Sequence, residues 1–262
     1  MSTPTPLLDF FKRGEVARDV RLLAAQGALA PRAHEQLGIL VLLLEDADRE
    51  IRDVADATLN RIPIPALEAF LGRSDVPLGL REFFGDRGVF PAEIPAIAVD
   101  EPLIDAESPQ SEPEEAASAE DPQSVIEQVA QMGFTERLRA AMRGSREVRA
   151  ILIRDSNKMI AAAVLSSPKV TGAEIEAFAR MANVSEDVLR IIASNRVWTK
   201  NYGVVAGLAK NPKTPVALSM NFLGRLNNRD LVGLSTDRNV AEALRISARK
   251  RIVAAASGRP TS

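Results

Sequence analysis

The chain of 262 residues has no cysteine and a single histidine, His34. Without thiols there is no disulfide, no thiolate nucleophile and no cysteine-ligated zinc or iron–sulfur centre. A Ser–His pair would have to use His34. That residue stands at helical spacing with Leu37, Val41 and Leu44 and reads as a core-edge side chain. Aromatics are scarce as well: nine Phe, one Tyr and one Trp. This argues against a sandwich or barrel built on aromatic and β-branched pairs. Long apolar runs are missing too. The longest, Leu37 to Leu44, includes Gly38 and falls far short of the roughly 20 residues a membrane-spanning helix needs. The opening Met-Ser-Thr-Pro-Thr-Pro has neither a basic start nor an apolar stretch ending in small residues. The expectation is a cytoplasmic protein with no membrane insertion.

Nucleotide and catalytic signatures are likewise missing. There is no Gly-x-x-x-x-Gly-Lys-Ser/Thr loop, no Gly-x-Gly-x-x-Gly turn and no Gly-x-Ser-x-Gly elbow. Asp46, Asp48 and Glu50 have the alternate spacing of a cation loop, but they sit at a helix start, where acids favour the dipole, and no glycine turn goes with them. Nothing calls for a cofactor or metal, and no enzyme is expected.

What the chain does have is 46% apolar residues dominated by Ala, Leu and Val, which suits closely packed helices. Charge is unevenly placed. Residues 1–98 carry 11 bases against 15 acids, residues 99–122 nine acids and no base, and residues 123–262 22 bases against 11 acids. The middle stretch, with four prolines and little to bury, reads as a disordered acidic linker. It divides the chain into an N-terminal helical block, 1–98, and a C-terminal helical block, 123–262. A tether of charge −9 beside a block of charge +11 is expected to fold back on the basic face part of the time.

In the N-terminal block, Pro31 opens a helix running to Leu44, and Asp46 or Asp48 caps another whose face is Ile51, Val54, Ala55 and Leu59. Proline at 63 and 65 breaks it, and short helices fit 65–72 and 77–85. In the C-terminal block a helix fits 123–132. Thr135 and Ser145 are candidate caps, and Gly144 ends the helix between them.

From there the sequence echoes itself. An offset of 44 pairs Asn157 with Asn201, Ala162 with Ala206, Pro168 with Pro212, Phe178 with Phe222 and Asn183 with Asn227. A longer offset joins Asn183-Val184-Ser185-Glu186 to Asn239-Val240-Ala241-Glu242. Thr171 with Glu174 forms a capping box; Thr214 before Pro215, Ser185 and Asn239 are further caps. The unit reads as helix, proline turn, helix, and such units stack into a solenoid. Nine asparagines from 157 to 239 fall mostly at helix ends, where they suit turns; the other reading is a ladder of amides offered to a peptide.

The segment Asp46 to Leu59, an acidic turn followed by Ile-Arg, Ala and Leu, resembles the HEAT-repeat pattern. Ser167-Pro-Lys-Val-Thr171 and Asn211-Pro-Lys-Thr-Pro215 resemble the turns of leucine-rich-variant repeats. The stretch from Ile153 to Val240 is similar to a bacterial family of such helical-repeat proteins to which no activity is attached. The resemblance implies an all-α fold: an α-solenoid of HEAT-like repeats in two blocks joined by the acidic linker. By fold analogy alone, HEAT-like DNA glycosylases hold a catalytic carboxylate, and Asp155 and Asp230 are its nearest analogues.

The expected function is a non-catalytic scaffold holding a protein or peptide partner, preferably acidic. The alternative is a nucleic-acid-binding module using the basic block, because arginines with nearby aromatics can grip phosphate and stack on bases. Arginines crowd the segment from Arg137 to Lys158, and the sole Trp and Tyr fall within one five-residue stretch, 198–202. The candidate binding residues are Arg143, Arg146, Arg154, Asn157, Lys158, Trp198, Lys200, Asn201, Tyr202, Asn228 and Arg229.

Overall fold

The computed structural model describes residues 5–29, 31–93, 102–104 and 122–256. All regular structure among them is helical, with no strand. The expected disorder of the acidic segment concerns residues that, apart from 102–104 and 122, lie outside this description. Contacts gather the chain into two compact units, Met1–Leu152 with Met159–Val170, and Ile153–Lys158 with Thr171–Ser262.

The first unit contains α1 (Pro6–Lys12), α2 (Arg18–Ala25), α3 (Ala33–Leu43), α4 (Arg49–Asn60), α5 (Ile64–Leu71), α6 (Leu78–Gly85), α7 (Pro122–Gln131), α8 (Phe134–Arg143), α9 (Arg146–Leu152) and all but the first residue of α10 (Lys158–Ser166). The apolar run beginning at Leu37 becomes α3, and α1, α2 and α4 all pack on it. Leu37, Ile39, Leu40 and Leu43 are buried. A helix apolar nearly all round is stable only where neighbours cover it on several sides. Helix α4 is amphipathic instead: Ile51, Ala55 and Leu59 are buried and Val54 half-buried. Asp48 is its cap, accepting the Glu50 N–H at 2.9 Å. The three acids of the cation-like spacing answer to arginines. Arg18 bridges Asp48 and Glu50 at 2.7 and 2.5 Å, and Arg21 reaches Asp46 at 3.2 Å.

Ser145 takes the Val148 N–H at 3.4 Å and Thr171 forms its box with Glu174, both as expected. Thr135 does not cap. Helix α8 starts one residue before it, after Gly133, whose N–H is received by Glu136 at 2.8 Å, so an acid inside the helix closes its first turn.

The second unit holds α11 (Gly172–Arg180), α12 (Glu186–Ser194), α13 (Tyr202–Lys210), α14 (Val216–Phe222), α15 (Asn228–Thr236) and α16 (Glu242–Ala256), with 3₁₀ turns at Trp198–Lys200 and Leu223–Arg225. Helix α11 packs on α12 and α13, α14 on α13 and α16, and α15 on α16. Most of these helices are nine residues long, too short to hold in isolation, and three of their five connectors open in the same way. The first connector residue carries a side chain that accepts the N–H two positions on: Asn195 from Val197 at 2.9 Å, Asn211 from Lys213 at 3.0 Å, Asp237 from Asn239 at 2.9 Å. In the five-residue connectors the fourth residue is a buried plug: Val184, Thr214 and Val240. Asn211 also donates to the carbonyls of Ala179 and Met181, both at 2.9 Å, at the end of α11. In the first unit Ser167 does the same job for α8, donating to the Met142 carbonyl at 2.7 Å and accepting from Lys169 at 3.2 Å.

These turns correct three expectations. Thr214 is a plug rather than a cap, because α14 begins only after Pro215. Asn239 lies in a turn and α16 begins at Glu242. The 44-residue offset from Lys158 to Tyr202 spans three helices, not the two of a helix–turn–helix unit, and the longer offset from Glu186 to Glu242 spans four. The module underneath both is one short helix with its turn. Phe178 and Phe222, paired by the shorter offset, are both buried.

One buried acid had no sequence signal. Glu35 on α3 is 3% exposed and its Oε1 receives the N–H groups of Leu7 and Leu8 at 2.6 and 2.9 Å, capping α1 from another helix. Burial pushes its carboxyl up to about 7, outweighing the hydrogen bonds that favour the charged form. The folded chain then holds a proton that the unfolded chain has already released. Folding should lose about 3 kcal/mol as pH rises from about 4.5 to about 7. Urea unfolding followed across that range is expected to show this loss in the native protein and not in Glu35→Gln.

Candidate binding cleft

In the second unit Arg180 of α11, Tyr202, Gly203, Ala206, Gly207 and Lys210 of α13, Asn211 and Pro212 of the following turn, and Asp230 of α15 line a cleft of about 420 Å³. Its floor is set by close helix approach. A Cβ on Gly207 would stand 3.2 Å from the Ala179 Cβ and 3.4 Å from the Ala179 carbonyl carbon, so glycine there brings α13 against α11. Asn211, buried and tied to the end of α11, fixes the same approach from the turn.

The polar side is a closed network around Asp230. Lys210 Nζ donates to Oδ1 at 2.5 Å, and the Tyr202 hydroxyl donates to Oδ2 while accepting the Asn227 N–H at 3.1 Å. The Lys210 ammonium first, and then the Tyr202 hydroxyl, hold the Asp230 carboxyl below the usual carboxylate range. Partial desolvation, followed by the bond to Asp230, pushes the Tyr202 hydroxyl up. At neutral pH the tyrosine therefore remains a hydrogen-bond donor and the aspartate remains an anion. Arg180 leans along α11 to Glu176 at 2.5 Å, an exposed i,i+4 pair that a ligand can break at little cost.

Of the candidate binding residues, only Tyr202 lines the cleft. Its neighbours serve the local frame: Asn201 caps α13 through the Gly203 N–H at 2.7 Å and reaches Glu176 at 3.3 Å, Trp198 is half-buried in a 3₁₀ turn, and Lys200 is exposed. Asn228 and Arg229 are exposed in the first turn of α15, next to Asp230. Lys158 pairs with Asp187 at 2.8 Å, and Arg154 and Asn157 are exposed just before it. Arg143 and Arg146 belong to the first unit. There Arg143 donates to the Ala28 carbonyl at 3.0 Å while Arg146 is exposed. The arginine-rich segment is thus shared between the two units. Arg180 and Lys210, which sequence reading missed, are ordinary helix-end residues, and Asn211 was read as a turn residue or a rung of an amide ladder. Their convergence depends on the packing of α11 on α13 and on the bonds from Lys210 and Tyr202 to Asp230.

Four of these asparagines accept backbone N–H groups: Asn195 and Asn211 in turns, Asn201 and Asn227 as helix caps. Asp155 accepts the Asn157 N–H at 2.8 Å. No helix among the described residues is long and apolar enough to cross a membrane. No known family, curated protein or solved structure matches the chain.

Gly207→Val is expected to push α13 off α11 and to lower unfolding stability by about 1–3 kcal/mol. Urea denaturation monitored by Trp198 fluorescence measures it.

Proposed function

We propose that the chain is a non-catalytic helical-repeat scaffold, a HEAT-like solenoid, that holds an acidic protein or peptide segment in the cleft of its second unit. The observation that carries this reading is the Asp230 network. Lys210 and Tyr202 both donate to Asp230, so the polar groups satisfy one another and make a rigid wall, which supports holding a ligand. Opposite that wall, Arg180 is held only by an exposed pair that a ligand carboxylate can replace. A cleft of this size takes a few side chains of a bound segment, and the exposed Tyr202 ring offers a flat apolar contact.

Occupation of the basic side chains favours a protein partner over nucleic acid. Arg143 is held on the Ala28 carbonyl, Arg149 on the Gly144 carbonyl at 2.8 Å and Arg225 on the Thr199 carbonyl. Part of the arginine-rich stretch therefore serves the fold. A phosphate-binding surface needs cations free to replace condensed counterions.

Selection of displayed random peptides on the full chain should enrich sequences rich in Asp and Glu. Arg180→Gln, an exposed and conservative change, should weaken the selected peptide by about ten-fold, in keeping with about 1.4 kcal/mol for a charge-assisted contact. If no peptide is enriched while single-stranded RNA binds with a log–log salt slope of about −0.7 per phosphate, the nucleic-acid reading replaces this one.

A further inference from the structure

The acidic segment contains two large apolar residues in succession, Leu103 and Ile104, and the first unit has a seat for them. Gln36 on α3 is 2% exposed, and its amide is spent on their backbone. Its Oε1 accepts the N–H of Leu103 at 2.8 Å and that of Ile104 at 3.1 Å, while its Nε2 donates to the Ile104 carbonyl. Two successive N–H groups reach one oxygen only where the chain bends, and it bends at Leu103. Pro102, just before the bend, has no N–H to satisfy.

The Ile104 side chain lies over Gly27, the second residue past the end of α2, in the left-handed region at φ +75°. A Cβ on Gly27 would stand 3.3 Å from Ile104 Cγ2 and 3.5 Å from the buried Thr58 methyl of α4. The seat is therefore built from three elements: backbone space at Gly27, an amide from Gln36 and a wall at Thr58. With the dipeptide gone, Gln36 would face the apolar interior between α2 and α4 with its polar atoms unmet, so the site calls for an occupant. The contact is also small: three residues, each only half-buried, flanked by acids in the sequence. A contact of this size holds in cis because the chain supplies its own segment at an effective concentration on the order of millimolar, and it is open to exchange.

We propose that Gln36, Gly27 and Thr58 form a docking site for a bent Pro-Leu-Ile segment, occupied in cis by residues 102–104, and that a partner protein carrying the same turn among acidic residues displaces them. The acidic segment then acts as a built-in competitor fixed to the first unit. This inference is independent of the cleft in the second unit.

The probe is a fluorescent peptide, Val-Asp-Glu-Pro-Leu-Ile-Asp-Ala-Glu-Ser, copying residues 99–108. Its anisotropy is followed with the full chain and with the Ile104→Asp chain, in which the cis segment is ejected. Removing the cis competitor should tighten peptide binding by about ten-fold or more, and adding Gln36→Met to that chain should abolish it. Equal affinity for wild type and Ile104→Asp overturns the proposal. Amide exchange on the unaltered chain provides a test that no folding defect can obscure. The N–H groups of Leu103 and Ile104 should exchange about ten-fold or more slowly than free peptide groups, and exchange at the free rate shows there is no seat. A dimer that forms in wild type and is lost in Ile104→Asp would place the exchange between copies of the chain and contradict the cis assignment.

Discussion

A helix of nine residues leaves nearly half of its backbone polar groups, roughly eight of 18, without a partner inside the helix, and by itself it does not hold. The second unit is made almost wholly of such helices, so the closing of their ends governs everything else. The solution recurs from turn to turn. In three of the five connectors a side-chain amide or carboxylate at the first position gathers the chain back. In the five-residue connectors a plug fills the fourth, and Ser185, Asn201 and Asn227 each cap the helix that follows. Asn211 carries the largest share. It ties two carbonyls at the end of α11 to the turn that follows α13, so one side chain joins two helices that are distant in sequence.

The cleft is a consequence of that tie. With the end of α11 bound to the turn after α13, and Gly207 removing the side chain that would keep the helices apart, Arg180 comes to line one cleft with Tyr202, Lys210 and Asp230. A site built on helix bodies and locked turns is rigid. Within it Lys210 is paired with Asp230, and Asp230 with Tyr202. The first unit works by the same rule in another form. Glu35 and Gln36, neighbours on α3, each bury a polar side chain in order to satisfy backbone groups that belong to another segment.

The sequence was most legible where the physics is local. The helical class followed from composition. Asp48, Ser145, Thr171 and Ser185 were readable as caps because the bonded N–H lies two or three residues from the side chain. The echoes at 44 residues were visible, but the helix count within them was not, since an offset fixes similarity without fixing how many turns it contains. Tyr202 was found through its rarity. Lys210, Glu35 and Gln36 left no trace, because their partners lie between 20 and 68 residues away, and single-sequence patterns carry no such pairings. Arg180 pairs within its own helix, and only the packing of α13 on α11 brings it to the cleft. The gathering of α7, α8 and α9 with the N-terminal helices was hidden for the same reason.

The dependence of the second unit on its buried turn amides is tested most directly by the unfolding free energy of Asn211→Ala, from urea titrations of the full chain. The substitution strands the Ala179 and Met181 carbonyls and the Lys213 N–H at a position only 5% exposed. A loss of about 2–4 kcal/mol is predicted. A loss below about 0.5 kcal/mol, the size of an ordinary surface substitution, would mean that the helices hold without their turns and would contradict the account.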